Sequence, residues 1–597
     1  MDRRTFVARS AKAGAALSIL GCSRNVIAGS GSIGFSVVRD RYFVRVLELN
    51  PVTSTYLGGD GYSPTLAGAN GRLRDFRPDA LAQELRFYRE IQRQLKSMDP
   101  ATLSAPDRID RDVLDAQVNF ILHQVGDLRY YQRSVDTYVA EPFRGIDWQI
   151  QQMTDAGNGL LGTEQEWQLV VSRLRAITPY LSVASANLTD GKRDNNYPDW
   201  RMIQRDGIAG SRANADYFSK TLPALARQYI GSRSFATSIL ASLDPASQSA
   251  AAAYTQFASF LETTFGNSRQ DRFAIGEREY EWRVHNNLRD PRTAQQLWEY
   301  GAEQVAHYQT LMSKVPRESS PTPRNDDELL AWYIETGKRA VQYGRDNNLF
   351  AIPADYRLDV VPTPPVLRST IDAAYYPAPP FKKSGVGRFY LSPTGNDAAA
   401  LAENTKASVA DTAVHEGFPG HDWHYKYMTE HGTGISNIRW LTPGAVEDSS
   451  SMWEDSMAAE GWALYSEELM SEAAPGHPYG FYSPAEYLYE LQGQLMRAVR
   501  VRVDVGIHTG RMTFDEAVAY FKKNMEVGDD TAQRAIYRYS KWPTQAITYN
   551  LGKNAIVALR EEYKQKKGSS YSAREFHERF MSMGTIPANY FRESFLK

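Results

Sequence analysis

A chain of 597 residues is past the size at which one compact core is usual, so two lobes with ample buried surface are expected and no covalent staples are needed. Its 68 Lys+Arg against 70 Asp+Glu leave a formal charge of -2 with no long block of one sign, which argues against a nucleic-acid or polyanion partner and favours small neutral or mixed-charge substrates. One cysteine excludes an intrachain disulfide and a thiolate ligand set, and 35 Tyr with 11 Trp read as packing in a large helical protein.

That cysteine belongs to the first element. "MDRRTFVARSAKAGAALSILGCS" joins a basic start, a short apolar stretch and Gly21 before Cys22, the architecture of an export signal. Arg3 and Arg4, followed by Thr5, Phe6 and Val7, resemble a twin-arginine signal, which carries folded proteins. "ILGC" resembles a bacterial lipobox and makes Cys22 the candidate for lipidation, with ordinary cleavage after Ala28 as the alternative. Residues 1–28 thus read as signal and spacer. No stretch reaches the roughly 18 to 20 apolar residues of a membrane span, so membrane association is expected only through an N-terminal lipid, at the periplasmic or cell-envelope face. Gly29, Gly31 and Gly34 stand in GxGxxG order, but no strand precedes them and no helix opens on them, so a dinucleotide site is not expected.

From about residue 38 the pattern is helical. "ALAQELRFYREIQRQLKSM" sets Leu81, Leu85, Tyr88, Ile91 and Leu95 in one apolar stripe, and "DRDVLDAQVNFILHQV" repeats the pattern with His123 as a packed or solvated helix residue. "TAQQLWEYGAEQVAHYQTLM" and "TFDEAVAYFKKNM" each open on Thr with an acidic or amide residue shortly after, a helix-start signal. The proline-rich segment from 353 to 397 carries two short β-prone runs, "YRLDVV" and "GRFYLS", which predict a small sheet between helical blocks. An edge of that sheet beside a cleft could hold an extended peptide by backbone hydrogen bonds. The expected fold is mainly α, in two lobes around a cleft: a helical N-terminal lobe over 38–270 and a second over 271–597.

The chemistry concentrates in "HEGFPGHDWH", residues 415–424. In the HExxH motif two histidines at i and i+4 grip one zinc while the glutamate handles the water. Here His421 follows His415 by six, about 240° around and about 9 Å along a regular helix, too far to share an ion. Pro419 cannot donate to the carbonyl of His415 and Gly420 tolerates unusual dihedrals, so a break is expected that could bring His421 back to His415's side. Downstream, "SMAAEGWALYSEEL" is strongly helical and offers Glu460, 39 residues after His421, as a third ligand. "EGWALY" also resembles the segment in which gluzincin aminopeptidases carry their ligand glutamate. Glu467, two turns on, is a candidate to support a ligand from behind or to be a solvated residue.

Together "HEGFPGH", "EGWALYSEEL", "VDVGIHTGRMTFDEAVAYF" and "RYSKWPTQAITYNLG", with "GEREYEWRVHNNL" and "YYPAPPFKKSGVGRFYLSP" upstream, resemble the bacterial family catalogued as domain of unknown function 885. The matches run in order from about residue 274 to 555. That family looks like zincin-type metallohydrolases that are often exported or lipid-anchored. The resemblance implies His415, His421 and Glu460 as ligands of one zinc ion per chain and Glu416 as the base. Where the family commonly has glutamine this chain has His424, and His421 with His424 at i and i+3 opens a rival set of His421, His424 and Glu460.

The expected reaction is hydrolysis of short peptides, with Glu416 taking a proton from the attacking water. His508, Tyr539 and Tyr549 are candidate oxyanion donors, and Arg502 and Arg538 candidate binders of a substrate carboxylate. A non-haem iron enzyme with the same two-histidine, one-carboxylate set and a metal-binding lipoprotein without catalysis are the alternatives. No G-x-S-x-G occurs, which argues against serine hydrolase chemistry. The sequence leaves oligomeric state open.

Overall fold

The computed structural model describes residues 34–153, 161–363, 373–376, 378–382, 387–431, 434–440, 456–472, 474 and 476–597. The signal segment with Arg3, Arg4 and Cys22 lies outside the described residues. The chain is mainly helical. The first half includes α1 (Phe35–Leu49), α2 (Pro78–Ser97), α3 (Ala105–Leu122), α4 (Glu164–Arg193) and α5 (Ala236–Phe265), with a further helix over Val135–Gln151. Next come α6 (Glu277–Asn286), α7 (Ala294–Met312) and α8 (Asp326–Asp346), then strands β1 (Val360–Pro362), β2 (Ala373–Tyr376) and β3 (Arg388–Leu391). After the sheet follow α9 (Lys406–Thr412), α10 (His421–His431), α11 (Ser456–Ser471), α12 (Pro484–Thr509), α13 (Phe514–Met525), α14 (Asp529–Lys541), α15 (Thr548–Lys567) and α16 (Ala573–Met581).

The apolar stripe of α2 faces inward as expected, with Leu81, Tyr88, Ile91 and Leu95 buried and Leu85 partly so. Helices α7 and α13 open on capping boxes, Thr293 with Gln296 and Thr513 with Glu516, which satisfy N-terminal amides that have no partner inside the helix.

The two β-prone runs supply β1 and β3, paired in parallel with Val360 opposite Phe389. β2 comes from "AAYY", too short a run to stand out in the sequence, and pairs antiparallel with β3, Ala373 opposite Leu391, giving the order β1-β3-β2. Val360, Phe389 and Leu391 pack with Leu329 and Tyr333 of α8 and with Val409 and Ala413, which sets the sheet against the turn that leads into "HEGFPGH".

The two sequence blocks meet through a common core. The largest apolar cluster contains Tyr42, Leu114, Leu174 and Tyr254 from the first block and Phe350, Trp423, Trp462, Tyr563 and Phe595 from the second. Buried Arg439 pairs with buried Asp110 at 2.6 Å, and Gln117 Nε2 donates to the carbonyl of Ile438 at 3.2 Å. The border near residue 270 is therefore no gap between separate cores. Among the described residues no helix is long and apolar enough to cross a membrane.

Candidate metal centre

Helix α9, capped by the Thr405 side chain, passes into a π-helical turn over Ala413–Gly417 that holds His415 and Glu416. The helix stops there. Phe418 is extended at φ -115° and ψ 128°, the Phe418–Pro419 peptide is cis, and α10 begins on His421. A Cβ at Gly420 would overlap the carbonyl oxygens of His415 and Val414, so the tight return of the chain requires glycine. The amide of Gly420 donates to the Val414 carbonyl at 3.0 Å. The break expected at Pro419 and Gly420 is present, and it brings the rings of His415 and His421 to 5.0 Å between centroids, nearly perpendicular at 89°.

The helix α11 docks onto that break. Trp462 Nε1 donates to the Pro419 carbonyl at 2.9 Å and Ser466 Oγ donates to the same oxygen at 3.3 Å. On its other side Gly461 lies against Gly552 of α15, where an added Cβ would stand 2.7 Å from backbone atoms. Held between these contacts, Glu460 places Oε2 3.2 Å from His415 Nε2 and 3.5 Å from His421 Nε2. One ligand atom from each of the three residues lies within 4.8 Å of the others. Metal–ligand bonds of about 2.0–2.1 Å in a tetrahedron separate neighbouring ligand atoms by about 3.3 Å, so the two separations from Glu460 Oε2 fit a shared zinc ion and the two-histidine, one-carboxylate chemistry suits one. Glu460 Oε2 is buried and makes no aligned hydrogen bond despite its two nitrogen neighbours, as a ligand atom facing a shared cation would.

A second carboxylate orients the first histidine. Glu467, fully buried, brings Oε1 to 2.6 Å from His415 Nδ1, which fixes that nitrogen as donor and leaves Nε2 to face Glu460. Burial works against a charged His415, but Glu460 and Glu467 outweigh it and hold the imidazole well above its usual pKa. Burial likewise opposes a charged Glu460, and the two histidines more than offset it, leaving its carboxyl well below the usual range. Behind Glu467 stands Arg497, its Nη2 3.7 Å away. Two further buried carboxyls share this region: Asp411, pushed up to about 8 by burial and by Glu467, and Glu490, raised by burial, Glu467 and Asp411. Glu416 is partly exposed, with Oε1 4.0 Å from His415 Nε2.

Other sequence candidates separate into two groups. His424 lies outside the trio: it is fully buried, its ring 5.2 Å from that of Trp462, and neither nitrogen has a hydrogen-bond partner among the described residues. Burial, then the neighbouring His421, draws its pKa down to about 3. The rival set with His424 in place of His415 is not assembled. His508 is also elsewhere, because its Nε2 donates to the Tyr539 carbonyl at 2.9 Å and its ring lies along that of Tyr280. It braces α12 against α14 and makes no contact with the trio. Arg502 is two residues, about 200°, around α12 from Arg500 and therefore faces away; its guanidinium covers Trp298 and donates to that residue's carbonyl.

Tyr549, Arg538 and Tyr539 are on the trio's side. Arg538 Nη2 is 3.5 Å from the Tyr549 hydroxyl, and burial of this guanidinium is outweighed by Tyr549, Tyr539 and Glu460, so its pKa is raised. Tyr539 accepts from Arg500 Nε at 2.9 Å, and the Arg500 guanidinium also lies 4.8 Å from the Tyr549 ring centroid. Sequence reasoning missed Arg497, Arg500 and Asp411. Arg497 and Arg500, at i and i+3 on one face of α12, were the available signal.

The profile of a bacterial family described as protein of unknown function, DUF885, matches residues 51–594. A search among curated proteins returns no significant relative. Among solved structures, a candidate lipoprotein of unknown function from Shewanella oneidensis aligns over 95% of this chain and 100% of its own, at 19% identity and a TM-score of 0.72. A candidate lipoprotein from Colwellia psychrerythraea aligns over 94% of this chain and 99% of its own, at 18% identity and the same TM-score of 0.72. At such identities the likeness concerns the fold.

Proposed function

As the chain belongs to the bacterial family DUF885, whose function is not defined, we propose from its own residues that it is a zinc-dependent hydrolase with a zincin-like site, acting on short peptides at the cell envelope. The observation that carries this reading is the convergence of His415, His421 and Glu460 with Glu416 immediately after the first ligand. A zinc ion held by the three would lower the pKa of water and polarise a carbonyl. Glu416 accepts the proton of the attacking water and returns it to the leaving amine. Glu467 keeps His415 in the tautomer that presents Nε2. Tyr549, with its hydroxyl beside Arg538, is the candidate to donate to a developing oxyanion, and Arg538 is the candidate for a substrate carboxylate.

The sheet supports a peptide substrate. β2 is an edge strand of the order β1-β3-β2 and runs next to the His415 turn, where an extended chain could add to it. Export and a lipid on Cys22 are likewise proposed, supported by the signal-like N-terminus and by the two lipoprotein-like neighbours.

Metal analysis of the purified soluble chain beside a Glu416→Gln variant, followed by digestion of a peptide library, tests this reading. The expected result is one zinc per chain in both proteins, with hydrolysis by the variant reduced by about 10²- to 10⁴-fold. Wild-type chain that takes up no metal would end the proposal. Metal uptake without hydrolysis in either protein would leave a metal-binding lipoprotein.

A further inference from the structure

A cavity of about 700 Å³ lies between the two sequence blocks, on the face of α14 marked by Tyr537, Ser540 and Lys541 and away from Arg538 and Tyr539. None of the three candidate metal ligands lines it. Its volume is that of a small-molecule site. Its walls combine flat apolar surface with an excess of uncompensated positive charge.

The apolar part comes from Phe273 and Trp282, the latter stacked on His123 at 3.9 Å between centroids. The carboxylates of the wall are already engaged. Glu279 is 2.7 Å from His123 Nε2 and 3.0 Å from Arg283 Nε, and Asp127 is 3.0 Å from His123 Nδ1. Asp199 accepts the Arg272 amide at 2.7 Å and pairs with Arg201 at 3.3 Å, and Glu277 pairs with Arg511 at 3.2 Å. Among the described residues three arginines of the wall, Arg133, Arg272 and the exposed Arg278, pair with no carboxylate. Arg133 donates, among the described residues, only a long bond of 3.4 Å to the Arg272 carbonyl, and the Arg272 guanidinium is spent on Asn195, Gln270 and the face of Tyr197. Burial, and then the nearby charge of Arg283, draw the pKa of Arg133 down against the opposing pull of Glu279 and Asp136.

We propose that this cavity binds a small organic anion, a carboxylate or phosphate on a flat apolar body, with Arg133 as its charge partner and Trp282 and Phe273 against the body. The planar fork of Arg133 suits bidentate contact with either oxyanion. The site is independent of the metal centre and its ligand need not be the hydrolase substrate.

Calorimetric titration of the purified chain, stripped of metal by chelation so that the trio cannot capture an anion through a bound ion, tests the site. The probes are phenylacetate, phenyl phosphate and inorganic phosphate, against wild type, Arg133→Gln, Arg133→Lys and Glu460→Gln. Saturable one-to-one binding of phenylacetate or phenyl phosphate is expected, the better of the two identifying the head group. Affinity should fall about tenfold or more in Arg133→Gln, less in Arg133→Lys, and not at all in Glu460→Gln. Should Arg133→Gln fail to fold, Arg133→Lys with a native circular dichroism spectrum carries the comparison. Absence of saturable binding by both aromatic probes, or equal binding by wild type and the Arg133 variants, overturns the site. Inorganic phosphate binding as tightly as phenyl phosphate overturns the apolar body. Loss of binding in Glu460→Gln would assign the anion to the metal centre instead.

Discussion

Glu467 decides which nitrogen of His415 is available. With Nδ1 tied to Oε1 at 2.6 Å, Nε2 is the free lone pair, and the carboxylate raises its basicity. The arrangement is costly alone, since Glu467 is fully buried and the arginine behind it, Arg497, stands 3.7 Å away. Glu467→Gln keeps the shape and an acceptor oxygen but removes the charge. Zinc affinity, measured by competition with a chromophoric chelator, is expected to drop about 10- to 100-fold while the chain stays folded. Unchanged affinity would mean that the carboxylate does not orient the ligand. Residues of this kind are the hardest to find in a sequence. His415, Glu416, His421 and Glu460 carry recognisable spacing, whereas Asp411 and Glu490 acquire meaning only where α9, α11 and α12 meet. His508 and Arg502 illustrate the opposite error. Both lie in chemically suggestive stretches of α12, but one donates to a backbone carbonyl and the other covers Trp298.

At the scale of elements, the site depends on how α9 ends. The π-helical turn at Ala413–Gly417 and the reversal through Gly420 convert a spacing of six into a shared face. Gly420→Ala would force its methyl group into the carbonyls of His415 and Val414. A loss of about 1 to 3 kcal/mol in urea unfolding is expected, with zinc content well below one per chain because His421 is displaced. An alanine variant with full stability and full zinc would show that the turn has room the geometry denies. Proline and glycine announced this break in the sequence, and the apolar periodicity of α2 and the capping residues of α7 and α13 announced theirs. The strand β2 was not legible, because four residues between prolines carry no alternation and their state depends on β3 beside them. The direction of α11 was equally hidden, since it rests on Trp462 and Ser466 meeting the Pro419 carbonyl.

For the whole molecule, buried neutral histidines set the acid limit. His577 donates through Nδ1 to the Leu349 carbonyl and accepts the Tyr465 hydroxyl at Nε2, and burial brings its pKa down to about 3. His508 is brought down to about 4 by burial. Both titrate near 6.5 when unfolded, so below that pH the unfolded chain binds more protons than the folded one. Their contribution to stability is complete above about pH 6.5 and is lost as the pH falls towards 4 and 3. These two histidines favour a decline in the urea midpoint of metal-free protein between pH 6.5 and 5. Asp411, Glu490 and His415, raised in the fold, act in the opposite direction, so the test is the difference between variant and wild type. A His577→Gln variant should show a shallower decline, by up to about 1.4 kcal/mol per pH unit, while an identical slope would mean that His577 is already charged in the fold. The shared core also has a consequence in time. Its cluster includes Phe265 and Phe595, which are 330 residues apart in the chain. At roughly 5 to 20 residues per second of synthesis, the first block waits on the order of 15 to 65 s with an unfinished apolar face. During that interval it is exposed to aggregation, and a leader that defers export until folding is complete, the kind that the Arg3–Arg4 segment resembles, suits a chain built this way.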